Sequence, residues 1–141
     1  MEIPLKKIII AVVALAASLA LSGVANADAS GTTTFNSPVG IHSGTVKGSG
    51  NTINQWSGVW NSATGTVCNW RFRYQQFDRF GVLKGTDSTS TRYSCDWGGY
   101  MDLKTLGGWG GAGWNFGPGK ACVSLMSNNS AKATVCFSIH P

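Results

Sequence analysis

The chain predicts an all-β fold: a small antiparallel β-sandwich or barrel with two disulfides. Three observations lead there. Beyond residue 27 there is no Glu, and Leu occurs only as Leu83, Leu103, Leu106 and Leu125. Good helix formers are therefore scarce, while Thr, Ser, Gly, Asn and aromatics favour strands and tight turns. The stretch from Cys68 to Phe77 alternates strictly, with Cys68, Trp70, Phe72 and Tyr74 on one side and Asn69, Arg71, Arg73 and Gln75 on the other. That period of two puts one strand face on a core and the other in solvent. Finally, the four cysteines Cys68, Cys95, Cys122 and Cys136 all follow a secretory-type N-terminus, and an even count in a small exported chain reads as a disulfide framework.

Size and charge narrow the classes further. At 141 residues with a formal charge of +5, the chain has no room for a two-domain cofactor enzyme. With 11% aromatic and only 12% charged residues, it is not a disordered polyelectrolyte.

Residues 1–27 read as a signal peptide. Lys6 and Lys7 precede an apolar run from Ile8 to Leu21 broken only by Ser18, and Ala25-Asn26-Ala27 fits a small-residue cleavage site. The run is shorter than the roughly 20 residues a transmembrane helix needs, so a secreted, extracellular product with no membrane span is expected. Residues 28–50 are small and polar, with Phe35, Val39, Ile41 and Val46 as the clear apolar positions. They are expected to form a flexible or extended arm that adds to a partner's sheet edge. Residues 51–141 then form the single β domain.

Within that domain Ile53 to Trp60 reads as a strand with Trp56, Gly58 and Trp60 on a common side. Thr89 to Cys95 reads as another, with Tyr93 and Cys95 facing the core. The last two strands take Val123, Leu125, Val135, Phe137 and Ile139 as their alternating residues, around the turn-rich Ser127-Asn128-Asn129-Ser130. Three disulfide connectivities are possible. Cys68–Cys95 and Cys122–Cys136 are favoured, because each pair brackets a hairpin. No C-x-x-C or C-x-x-H spacing is present, so no metal site is expected.

The glycine-dense segment from Gly98 to Gly119 is different. It carries Tyr100, Trp109, Trp114 and Phe116 in a stretch whose second half is unsuited to regular structure. Its rings either cap the core or face a ligand. Catalysis has little to draw on. His42 lies in the arm, His140 is penultimate, and neither belongs to a catalytic motif. Among the aspartates only Asp96 and Asp102, which flank the Gly-Tyr stretch Trp97 to Met101, form a pair worth naming. No enzymatic activity and no cofactor are expected.

Six Trp exceed ordinary usage, and an indole offers a flat apolar face beside an N–H donor. The function expected is therefore non-catalytic binding of a glycan or cell-wall polymer, through Trp97, Tyr100, Trp109, Trp114 and Asn115. Arg71 and Arg73 give the same domain a basic face. The alternative is a bacteriocin-like protein, or an adaptor of a secreted antibacterial toxin, acting through protein contacts made by residues 28–50. Nucleic acid would use similar residues, but export removes it as a partner.

Overall fold

A computed structural model describes residues 28–107 and 112–140, which form ten strands and no helix. The expected signal segment, and Trp109 within the glycine-dense segment, lie outside the described residues. The strands are β1 (Ala29–Phe35), β2 (Gly40–Ser49), β3 (Thr52–Ser62), β4 (Val67–Asp78) and β5 (Leu83–Ser88). They continue with β6 (Arg92–Asp96), β7 (Gly99–Thr105), β8 (Trp114–Asn115), β9 (Gly119–Ser127) and β10 (Ser130–Ile139).

Two antiparallel sheets result. One runs β1-β2-β3-β7, with β8 also paired to β3; the other runs β10-β9-β4-β5, with β6 also paired to β4. Their inner faces enclose Val46, Trp56, Trp60, Phe72, Tyr74, Val123, Leu125 and Ile139, all buried. The fold is thus the all-β, two-sheet architecture that the alternation demanded, since a sheet with one apolar face must cover it with another layer. Trp56, Gly58 and Trp60 do share the buried side of β3. Gly58 is required there because a Cβ would collide with the Phe72 ring across the core. At Gly44 a Cβ would stand 2.8 Å from Val123 Cβ, so glycine lets the sheets approach closely at this point as well.

Both favoured disulfides are present, Cys68–Cys95 and Cys122–Cys136. Each joins residues directly opposite in a strand pair, β4 with β6 and β9 with β10. They fasten strands within the second sheet and leave the sheet-to-sheet contact to the core.

Two expectations need correction. Residues 28–50 are no free arm: β1 and β2 form a regular hairpin from Ala29↔Val46 to Phe35↔Gly40, and β2 continues into β3. Ala29, Phe35 and Val46 are buried in the core. The segment looked polar because its apolar residues are sparse, yet glycines and His42 fill the inward positions between them. Tyr93 and Cys95 also do not face the core, and Tyr93 is 85% exposed. The inward positions of β6 hold Arg92 and Asp96 because this strand lies at the rim. Arg92 sits 5.4 Å from the Trp70 ring and 5.1 Å from the Tyr100 ring. Asp96 accepts from Trp70 Nε1 at 2.7 Å. Polar groups here cap aromatic rings and do not fill an apolar layer.

His42 is fully buried and bridges the sheets. Its Nε2 lies 2.9 Å from the Val123 carbonyl, its Nδ1 3.2 Å from the Val59 carbonyl, and its ring stacks on Phe72 at 5.8 Å. Burial pushes its pKa below the ordinary imidazole value, against the opposing pull of the two carbonyls. The unfolded chain therefore binds the proton more readily. As pH falls through about 6.5, the value of an unperturbed imidazole, the unfolded state gains the proton first and stability declines until the folded pKa is passed. The midpoint of thermal unfolding is expected to drop between pH 7 and pH 5. An NMR titration should show the His42 ring charging below the range of an exposed histidine, and a ring that charges at or above that range would contradict this.

Candidate functional site

The side of the second sheet that faces away from the core builds the site, and it starts from a break in the alternation of β4. Asn69 has φ +48° and sits at an irregularity between the pairs Cys68↔Cys95 and Trp70↔Arg92. Such a bulge shifts the phase of the strand by one residue. Val67 and Trp70 are buried while Cys68 turns outward with its disulfide, against the sequence expectation that Cys68 shares the Trp70 side. Beyond the bulge, Arg71 and Arg73 alternate outward as expected.

Beside this point β9 and β10 are joined by the two-residue turn Asn128-Asn129, with φ of 49° and 66°. Positive φ at both positions is the signature of the tight hairpin turn that matches strand twist, and Asn tolerates it better than most residues. The turn is tied to the bulge. Asn69 Nδ2 donates to Asn128 Oδ1 at 2.7 Å, and Arg71 Nη1 donates to Asn129 Oδ1 at 3.1 Å. The Asn128 amide donates to the Asn69 carbonyl at 3.1 Å, and Ser127 Oγ to the Cys68 carbonyl at 2.7 Å.

These residues line an open groove of about 370 Å³ formed by Asn69, Arg71, Thr91, Tyr93, Asn128 and Asn129. Tyr93 supplies an exposed ring, and Trp97, 64% exposed, follows just beyond the end of the same strand. The Cys68–Cys95 bridge lies between them in sequence and anchors their backbone to β4. One amide atom each of Asn69, Asn128 and Asn129 is engaged, and the other carries no side-chain bond among the described residues. The groove thus presents a flat ring, three preset amides and a guanidinium. That combination suits a polyhydroxylated ligand, with the ring taking an apolar face and the amides taking hydroxyls.

Of the residues expected to bind on one loop, those described do not gather in one place. Tyr100 is half-buried in an aromatic stack, 5.2 Å from Trp60 and 5.3 Å from Trp70. Trp114 is half-buried against Tyr74 at 5.8 Å and Phe116 at 5.9 Å, and lies over Gly85. Tyr100 pairs with Trp60 and Trp114 with Ile53. Those positions of β3 are roughly 23 Å apart at strand rise, so the two rings belong to opposite ends of the sandwich. Asn115 is exposed, but its Oδ1 accepts from the Gly117 amide at 3.0 Å in a local turn. Of the expected ligand residues, Trp97 stands out in solvent at the end that holds the groove.

Sequence reasoning missed Tyr93, Asn69, Asn128 and Asn129. The signal for Tyr93 was its period-two relation to Cys95. A bridge between directly opposed cysteines lies on one side of the sheet, and Tyr93 shares that side.

The two carboxylates named for catalysis lie on strands of different sheets, and each is engaged in local hydrogen bonds. Asp96 accepts from Trp70 Nε1 and Ser94 Oγ, bonds that hold its pKa below the usual carboxylate range. Asp102 accepts from the backbone amide of Leu103. Among the described residues no group of three His, Cys, Asp or Glu side chains is placed to hold a metal.

The class of protein defined so far is a disulfide-braced antiparallel β-sandwich with an aromatic and amide-lined groove on one sheet. No family model and no curated protein matches the chain. Among solved structures, the chain is similar over 62% of its length to an alkylpurine DNA glycosylase, AlkC, from Pseudomonas fluorescens, bound to DNA containing an abasic site analog. The identity is 10%, the TM-score 0.37, and the match spans 25% of that chain. A likeness this slight carries no argument about fold or function. Among the described residues no helix is long and apolar enough to cross a membrane.

Proposed function

We propose that this is a secreted, non-catalytic protein that binds a glycan or cell-envelope polymer. The ligand seats in the groove between Tyr93 and the Asn128-Asn129 turn. The observation that carries the reading is the Tyr93 ring, 85% exposed on a strand fastened by a disulfide. Tyr93 and Trp97 stand exposed on one short stretch of backbone beside the groove, so two flat ring faces are available to sugar rings. The Cys68–Cys95 bridge lessens the backbone ordering that binding has to supply. Trp97 extends the platform toward a second sugar of a chain. The signal segment at residues 1–27 and the two bridges fit an oxidising, extracellular setting.

The test is retention on insoluble peptidoglycan, chitin and cellulose. The wild-type protein is expected to bind at least one of them. The double variant Tyr93→Ala/Trp97→Ala is expected to bind about 30-fold more weakly, the effect of losing a contact worth about 2 kcal/mol. Both side chains are exposed, so the variant should unfold at the wild-type temperature. Undiminished binding by a folded double variant would remove this face from the function.

A further inference from the structure

The groove-bearing face of the second sheet carries cations and no carboxylate. Arg71 and Arg73 occupy successive outward positions of β4, roughly 7 Å apart at strand rise. Lys120, opposite Phe77 on β9, lies 5.0 Å above the Phe77 ring. Every aspartate of residues 28–141 is placed elsewhere. Asp87 holds Trp56 Nε1 and Lys104 between the sheets, and Asp96 is turned in to Trp70. Asp78 closes the β4–β5 turn through the amides of Phe80 and Val82. Asp102 lies on β7 and Asp28 precedes β1, both in the other sheet. The ion pairs among the described residues, Lys84–Asp78 and Lys104–Asp87, leave both arginines out. Arg71 spends one N–H on Asn129, and the Nε of Arg73 is buried with no partner among the described residues.

A guanidinium that lines a groove without a counter-charge is a fork for an anion. Resting on the glycan-binding reading above, we propose that the ligand is an anionic glycan. Its carboxylate or phosphate group is held by Arg71, with Arg73 contributing to the local field, while a sugar ring of the same chain lies on Tyr93. The ring supplies the apolar contact and the arginine selects charged over neutral polymers.

The experiment measures affinity of the intact, disulfide-bonded protein for four probes at low and high salt. The probes are polygalacturonate as the carboxylate polymer, poly(glycerol phosphate) as the phosphate polymer, soluble neutral β-glucan, and single-stranded oligonucleotide. Tighter binding of one anionic glycan than of the neutral glycan, by about tenfold or more, is expected, and added salt should shrink that margin by screening. Which of the two anionic probes binds distinguishes carboxylate from phosphate as the recognised group. Arg71→Gln is expected to erase the preference, and Arg71→Lys to restore part of it, since charge returns without the fork. Tyr93→Ala should weaken binding of both glycan types. Equal binding of neutral and anionic glycans, unchanged in Arg71→Gln, would overturn this inference and leave the glycan-binding reading standing. Failure to bind any glycan would overturn both. Oligonucleotide binding as tight as that of the anionic glycans and indifferent to Tyr93→Ala would reduce the face to bare charge attraction and overturn the inference.

Discussion

Reduction of both disulfides is expected to leave the domain largely unfolded at physiological temperature. The bridges close loops of 27 and 14 residues. In the chain-entropy account these contribute about 3.5 and about 3 kcal/mol by restricting the unfolded chain. Whole domains are stable by only about 5–15 kcal/mol, so losing both removes a large share. Thermal melts followed by near-UV circular dichroism should show the midpoint falling by more than about 10 °C when either bridge is replaced by alanines, and further when both are. A reduced protein that melts within a few degrees of the oxidised one would show that the core alone carries the fold. The Cys68–Cys95 replacement has a second expected consequence. It frees β6 from β4, and with it the backbone of Tyr93 and Trp97, so glycan affinity should fall even where the remaining structure survives.

Trp60→Ala is expected to cost about 3–5 kcal/mol, the range for emptying a buried large aromatic site. The side chain is fully buried, meets Trp70 edge-on at 5.3 Å and stacks on Tyr100 at 5.2 Å. Its removal takes a wall from two rings at once. Trp60→Phe should cost far less, about 1–2 kcal/mol. The reason is specific to this residue: Trp60 Nε1 has no hydrogen-bond partner among the described residues, so phenylalanine forfeits packing and no bond. Denaturant unfolding of the two variants separates these outcomes. Equal losses would mean that the indole N–H makes a bond the geometry does not show.

The strand pattern of β3, β4, β9 and β10 was legible because one side of each faces the core. Trp56 with Trp60, Phe72 with Tyr74, and Val123 with Leu125 recur at the spacing the pleat imposes. The disulfide pairing was legible for a related reason, since a cysteine pair bracketing a hairpin meets when the strands zip together. β6 was misread because period-two alternation marks two sides without saying which is inward. Where a strand lies at the rim, capping residues such as Arg92 and Asp96 take the inner positions and the aromatic faces out. The hairpin β1–β2 was misread because burial there relies on glycines and on a histidine, residues that carry no apolar signal. Tyr100 and Trp114, expected together in the glycine-dense segment, were separated by pairing: Tyr100 on β7 pairs with Trp60 and Trp114 on β8 with Ile53, near the two ends of β3, a distance along the strand that no linear spacing reveals.

The sequence by itself determined the class of fold, the strands that build its core and the outward placement of Arg71 and Arg73, and it favoured the two observed cross-links among three possible pairings. These follow from local chemistry, in which side chains alternate with the pleat and cysteines bridge where strands pair. Only the tertiary structure decided where the groove lies. It forms where the Asn69 bulge, the Asn128-Asn129 turn and the edge strand carrying Tyr93 converge, and these segments are brought together by strand pairings between residues far apart in the chain. Long-range register of that kind is set by the packing of the whole sandwich, so no local stretch of sequence encodes it.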